Sequence, residues 1–193
     1  MYGKSRAGIG LPLISDDEGI LLVKNGGGRY ADAAINGRLF SVANQAAVAV
    51  TANLNTTWTG LGVANPTGSG KLLIMQEFGW SSSVVNPAEG VVGLMMATDT
   101  GFAAALAARC VRNGYAISVA YCDDGGTIST PVLERICGST MEGAITTIPI
   151  CPPNLVKLDG SIVLAPGRSV LTYHSVGGTA SLLFHFLWEE VDI

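Results

Sequence analysis

The chain has 193 residues, 48% of them hydrophobic and only 13% charged, with a formal net charge of -4 and a mean hydropathy of +0.40. A chain of this length buries roughly 70% of its unfolded surface in a single domain, so folding requires neither disulfide nor metal. The acidic balance argues against general nucleic-acid binding, which needs a basic patch or stripe. No run approaches the ~18 uninterrupted apolar residues of a spanning helix, so neither nucleic acid nor membrane is expected as a partner.

An apolar surplus in a weakly charged chain has to be hidden. Burial between subunits is the expected place, because obligate interfaces resemble domain cores. Charge is also unevenly spread: Lys4, Arg6, Lys24, Arg29 and Arg38, five of the eleven basic residues, fall in the first forty positions, while residues 39–70 carry no charge. The opening Lys4 and Arg6 are followed by acidic Asp16, Asp17 and Glu18 with no hydrophobic run between them long enough for a secretion signal.

Residues 1–38 are broken by glycine, with a triplet at Gly26, Gly27 and Gly28. They read as an extended arm with one short strand at Ile20 to Val23, ordered by a partner. Asn36-Gly37, between Ala33-Ala34-Ile35 and Arg38-Leu39-Phe40, signals a type I′ hairpin. From residue 39 to 193, short apolar runs separated by Gly, Asn, Pro and Asp predict an all-β sandwich or barrel.

Strands are expected at Leu39 to Val50, Lys71 to Phe78, Val91 to Ala97, Tyr115 to Cys122, Pro131 to Ile136, Ala144 to Ile150, Ser161 to Leu164, Val170 to Tyr173 and Ala180 to Val191. The clearest alternation is Tyr115, Ile117, Val119 and Tyr121 against Ala116, Ser118, Ala120 and Cys122. Alanine-rich Thr100 to Gly114 predicts a short helix ending at its glycine, with a strand as the alternative. The last third reads as strands turning at Pro166-Gly167 and Gly177-Gly178. In the final run Leu182, Phe184, Phe186 and Trp188 alternate with Leu183, His185 and Leu187, so both faces need cover.

Motifs that could carry chemistry fail on their details. Pro66 to Lys71 imitates a phosphate loop, but Asn65 and Leu72 stand where the motif needs glycine and Ser or Thr, and the loop leads into a strand. The histidines, His174 and His185, fall out of register for a shared metal. Cys110, Cys122, Cys137 and Cys151 lack zinc-site spacing and read as buried strand thiols. Asp123-Asp124 and Glu189-Glu190 read as solvated turn and terminal charges. Trp58, Trp80 and Trp188 are sparse enough to be core or interface anchors. No catalytic, cofactor or metal residue is expected.

Four stretches together resemble a known group: Gly28-Arg-Tyr-Ala-Asp-Ala-Ala-Ile-Asn-Gly-Arg-Leu-Phe40, Asn65-Pro-Thr-Gly-Ser-Gly-Lys-Leu-Leu-Ile74, Leu164-Ala-Pro-Gly-Arg-Ser-Val-Leu171 and Phe186-Leu-Trp-Glu-Glu190. In this order the chain resembles the jelly-roll decoration, or cement, proteins of tailed-bacteriophage capsids. The resemblance implies a single jelly roll that forms a homotrimer on the outer surface of an icosahedral virion, made in the bacterial cytoplasm, with the major capsid protein as partner and no enzyme activity. On that reading Arg6, Arg29 and Arg38 make polar contacts to an acidic shell, and Tyr30 and Phe40 serve as apolar anchors. The alternative is a tail- or vertex-associated receptor-binding module, whose Asn53 to Asn65 loop would present Trp58 to host glycans.

Overall fold

The computed structural model describes residues 2–4, 10–12, 28–83, 89–98, 102–140 and 154–193, with residues 2–4, 10–12 and 179–181 described through their backbone alone. The chain divides into two units, Met1–Asp32 and Ala33–Ile193. In the first, β1 (Tyr2–Lys4) and β2 (Gly10–Pro12) pair antiparallel with Gly3 opposite Leu11. The strands expected at Ile20 to Val23 and Ala144 to Ile150 lie outside the described residues.

Helix α1 (Ala31–Ile35) replaces the hairpin expected around Asn36-Gly37. Gly37 takes a φ of 70°. Its amide donates to Ala34 O at 3.1 Å, and the Arg38 amide donates to Ala33 O at 2.9 Å. Those two bonds satisfy the last helix carbonyls in a Schellman cap, so the same Asn-Gly pair that could turn a hairpin here ends a helix.

The strands that follow are β3 (Leu39–Ala43), β4 (Val48–Val50), β5 (Thr57–Asn65), β6 (Lys71–Ser82), β7 (Gly90–Ala97), β8 (Arg109–Cys110), β9 (Tyr121–Thr127), β10 (Val132–Thr140), β11 (Asn154–Leu164), β12 (Arg168–His174) and β13 (Gly178–Asp192). They form two antiparallel sheets, ordered β11-β6-β13-β3-β8, with β4 also on β13, and β10-β7-β12-β5-β9. Without the short β4 and the inserted β8 and β9, one sheet reads β3-β13-β6-β11 and the other β5-β12-β7-β10. Successive strands cross between the sheets except from β7 to β10, which are neighbours in one sheet, and the first of the eight lies beside the last. This is a single jelly roll, a β-sandwich of two Greek keys.

That winding corrects the reading of the last third as adjoining strands. β11, β12 and β13 follow one another in sequence, yet β12 pairs with β5 and β7 while β11 and β13 both pair with β6. The turns at Pro166-Gly167 and Gly177-Gly178 therefore carry the chain across the sandwich. The alternation in β13 does hold: Leu182, Phe184, Phe186 and Trp188 are all buried, and they enter the core between the sheets with Phe78 and Phe40.

The run expected at Leu39 to Val50 splits into β3 and β4 at buried Asn44, whose backbone amide still donates to Phe184 O at 3.2 Å. Its Oδ1 accepts from the Phe184 amide at 3.1 Å in place of a backbone carbonyl, and its Nδ2 donates to Gly60 O at 3.1 Å, joining the two sheets. β5 occupies what the sequence suggested was a loop. Its glycines mark close approach: a Cβ at Gly60 would overlap the Thr172 hydroxyl, and one at Gly62 would meet the Phe102 ring. β5 and β12 are covered on both faces. Leu61, Val63 and Val170 enter the main core, while Trp58, Ala64 and Leu171 join Met95, Phe102 and Ile128 in a second cluster.

Two further expectations fail along residues 102–120. No helix forms over the described part of Thr100 to Gly114; Phe102 stacks on Trp58 at 6.0 Å, Leu106 bridges to Cys122 and Arg109–Cys110 becomes β8. The strand expected at Tyr115 to Cys122 begins only at Tyr121. Tyr115 and Ile117 turn outward, Ile117 being 94% exposed, while Val119 packs against the core and its amide donates to Glu190 at 3.1 Å. Burial of Phe102 and Cys110, with Leu106 packed against the core, outweighs local propensity along this path.

Candidate functional site

Of the six residues expected to meet a partner, five are described. Arg6 lies outside the described residues. Arg29 is exposed, with its guanidinium 5.5 Å from the Tyr30 ring centroid. Arg38 pairs with Glu189 at 3.1 Å. Phe40 is buried and stacks on Trp188 at 6.3 Å. Trp58 is buried too, and its Nε1 donates to Thr172 O at 2.9 Å. Phe40 and Trp58 are therefore core residues and not anchors, and the glycan-binding loop loses its aromatic ring. Alternating burial places them inward, a signal that the glycines of β5 obscure in the sequence.

The four stretches that carry the family resemblance converge. Asn65 Nδ2 donates to Lys71 O and Leu164 O, each at 2.8 Å, and Gly167 N donates to Asn65 O at 2.8 Å. Lys71 Nζ lies 3.5 Å from Glu190, whose amide donates to Arg38 O at 2.8 Å. Residues far apart in sequence thus meet through backbone groups, which gives them a part in holding the fold together. Pro66 to Lys71 is the loop before a strand that its details predicted.

Glu190, expected at a solvated end, is buried. Its Oε1 accepts from Ser118 Oγ at 2.6 Å, the Val119 amide at 3.1 Å and Trp188 Nε1 at 3.4 Å. Asp123 is also buried and is part of β9, where it accepts from the Ala103 amide at 2.8 Å. Each carboxylate is occupied by backbone donors, which makes both of them clamps on the 102–120 segment. Burial, with Glu190 and Asp123 adding negative charge nearby, pushes the Cys122 thiol up to about 12. Burial pushes Cys137 up to about 11. Neither has the low-pKa character of a reactive thiol. Cys151 lies outside the described residues.

The two histidines stand apart, in different sheets. His174 is buried with Nε2 2.9 Å from Thr140 Oγ1, and burial lowers its pKa against a smaller upward effect of the Val176 carbonyl. His185 lies across Gly79, where a Cβ would overlap its ring, and burial lowers its pKa against a smaller upward pull from Glu77. It borders a shallow groove of about 410 Å³ on the outer face of the six-stranded sheet, lined by Ala43, Gly79, Leu155 and Leu183 among others. Among the described residues His185 is the one titratable side chain in that lining, so they bring no acid and base pair together there. No group of three or more metal-ligating side chains occurs among the described residues.

The two flanks of the sandwich differ. At one, the 102–120 segment and β9 cover the edges of both sheets. At the other, β10 and β11 are edge strands, one from each sheet, and carry exposed Val132, Leu133, Ile136, Leu155 and Val163. Val132 and Val163 line a hollow of about 350 Å³ between them. Ile35, Val111, Tyr115 and Ile117 are also exposed, on and beside the crossing segment. There the Arg112 guanidinium sits 3.9 Å from the Tyr115 ring centroid and donates to Ile35 O at 2.6 Å. Compared with known proteins, the chain matches no family model, no curated protein and no solved structure.

Proposed function

We propose that this protein is a structural component of a virus particle, a jelly roll that sits on the outer surface of an icosahedral phage shell and stabilises it by bridging capsomers. The observation that carries the reading is the wound eight-strand sandwich, an architecture used by viral capsid domains among others. Its largest unclaimed feature is exposed apolar surface and not an assembled set of reactive groups. Fold alone does not fix function; the four converging stretches that resemble decoration proteins supply the second support.

In such a role the weakly charged sandwich contributes rigid contact area, and the basic, glycine-rich first 38 residues contribute a second attachment. Linking two contacts raises the effective concentration of each, so separation of capsomers requires several contacts to break together. The test is the copy number of this chain per purified particle, measured by quantitative mass spectrometry against the major shell protein. A simple lattice fraction is expected. A handful of copies would move the protein to a tail or vertex, and absence from particles would overturn the reading.

A further inference from the structure

The sequence holds Asn-Gly steps at Asn25-Gly26, Asn36-Gly37 and Asn113-Gly114. The first lies outside the described residues. The other two place the same pair of residues in opposite surroundings. Asparagine followed by glycine is prone to cyclise, because glycine has no side chain to hinder attack by its amide nitrogen.

At Asn36-Gly37 the attacking nitrogen is held. Gly37 is buried, its amide donates to Ala34 O at 3.1 Å, and a Cβ there would overlap the Tyr115 ring that lies over it. Asn36 is engaged in an interaction of its own. Cyclisation would require the helix cap to open first.

Asn113 and Gly114 are instead the central residues of a turn, closed by the Tyr115 amide donating to Arg112 O at 3.0 Å. Both are exposed, and Gly114, with a φ of 70°, has nothing within 4 Å of the position a Cβ would take. Neither the Gly114 amide nor the Asn113 carboxamide is hydrogen-bonded among the described residues. Nucleophile and electrophile are adjacent, open to water and free to turn towards each other.

We infer that Asn113 is a modification site, where spontaneous deamidation gives the chain a negative charge and, in part of the molecules, an isoaspartyl link. The Gly114 nitrogen attacks the carbonyl carbon of the Asn113 side chain. The carboxamide C–N bond breaks and ammonia leaves with the amide proton, closing a succinimide. Water then opens the ring at either carbonyl, giving aspartate or isoaspartate; no oxidant or metal enters. The new carboxylate stands next in sequence to Arg112, whose guanidinium sits 3.9 Å from the Tyr115 ring centroid and donates to Ile35 O at 2.6 Å. It also brings charge to a surface where Val111, Tyr115 and Ile117 are exposed. The inference goes beyond the virion role and does not depend on it.

The test holds the full chain at pH 8 and 37 °C, folded and in urea, and follows each asparagine by peptide mapping with mass spectrometry, which reads a gain of about one dalton. In urea, Asn36 and Asn113 should convert at similar rates. In the folded chain Asn113 should stay close to its urea rate, while Asn36 should slow by about tenfold or more because it reacts only when its cap opens. Slowing of Asn113 by about tenfold or more on folding, or conversion of Asn36 as fast as Asn113 in the folded chain, would overturn the inference. Particle binding enters none of these outcomes, so the virion reading is tested separately.

Discussion

The two flanks solve one problem differently. A sandwich of two sheets has two pairs of strand edges, and each exposes backbone donors and acceptors. Between β7 and β10 the chain makes a long excursion to the far flank, where it adds β8 to one sheet and β9 to the other. Glu190 then fixes the crossing by accepting from Ser118 and Val119, and Phe102 seals Trp58. Among the described residues the flank of β10 and β11 carries bulges and a left-handed kink at Asp159 and Gly160, with φ of 53° and 76°. The first flank is thus a matter of folding stability, while the described part of the second keeps apolar side chains exposed.

Substitutions on the two sides should separate these roles. The largest effect belongs to the first flank. Glu190→Ala leaves the Val119 amide and the Trp188 ring nitrogen without their acceptor, while Lys71 can still reach water, so a loss of about 3 kcal/mol is expected in urea unfolding. A loss under about 1 kcal/mol would show that the carboxylate does not hold the crossing segment. Next comes Gly93→Ala in β7, where a Cβ would overlap the Arg135 carbonyl oxygen of β10. Backbone cannot give way as a side chain does, so about 1 to 3 kcal/mol should be lost in urea unfolding.

A smaller effect should come from His174, held by Thr140 of β10 beside Gly90 of β7. Burial lowers its pKa below the ordinary 6.5, so the folded chain binds fewer protons than the unfolded one as pH falls. Stability conferred by the neutral ring is present above about 6.5 and is lost as pH drops from there towards the lowered folded value. Urea midpoints at pH 7.5 and 5.5 should differ in that direction, and His174→Gln should flatten the difference. The smallest effect is expected at Ile136→Asp, within about 0.5 kcal/mol for folding in urea because the side chain is exposed. A large folding defect there would mean that Ile136 belongs to the core.

Much of the fold was legible in the sequence. Period-two alternation in β13 assigned Leu182, Phe184, Phe186 and Trp188 to one buried face, and short apolar runs between turn residues specified a β-sandwich. The misreadings share a cause. β5 looked like a loop because Gly60 and Gly62 interrupt it, yet those glycines are there so that Thr172 and Phe102 can come close. Tyr115 to Cys122 looked like the best strand, but its alternation is satisfied by a different arrangement in which Val119 binds Glu190. The Thr100 to Gly114 stretch has helix-forming composition, and contacts with Trp58 and Cys122 override it. Of the expected contact residues, Phe40 and Trp58 show the limit most plainly, since an aromatic side chain reads alike whether it serves a core or a surface.

By itself, then, the sequence determined the class of architecture, the turn positions and the need to bury an apolar surplus, because those follow from side-chain periodicity and backbone chemistry within a few residues. Only the tertiary structure decided which strands are neighbours, which carboxylates are buried and which flank the 102–120 segment covers. Those depend on contacts between residues such as Asn65 and Leu164, or Ser118 and Glu190, separated by 99 and 72 positions. No local pattern encodes such pairings; they arise when two sheets, each unable to hide its apolar face alone, close upon one another.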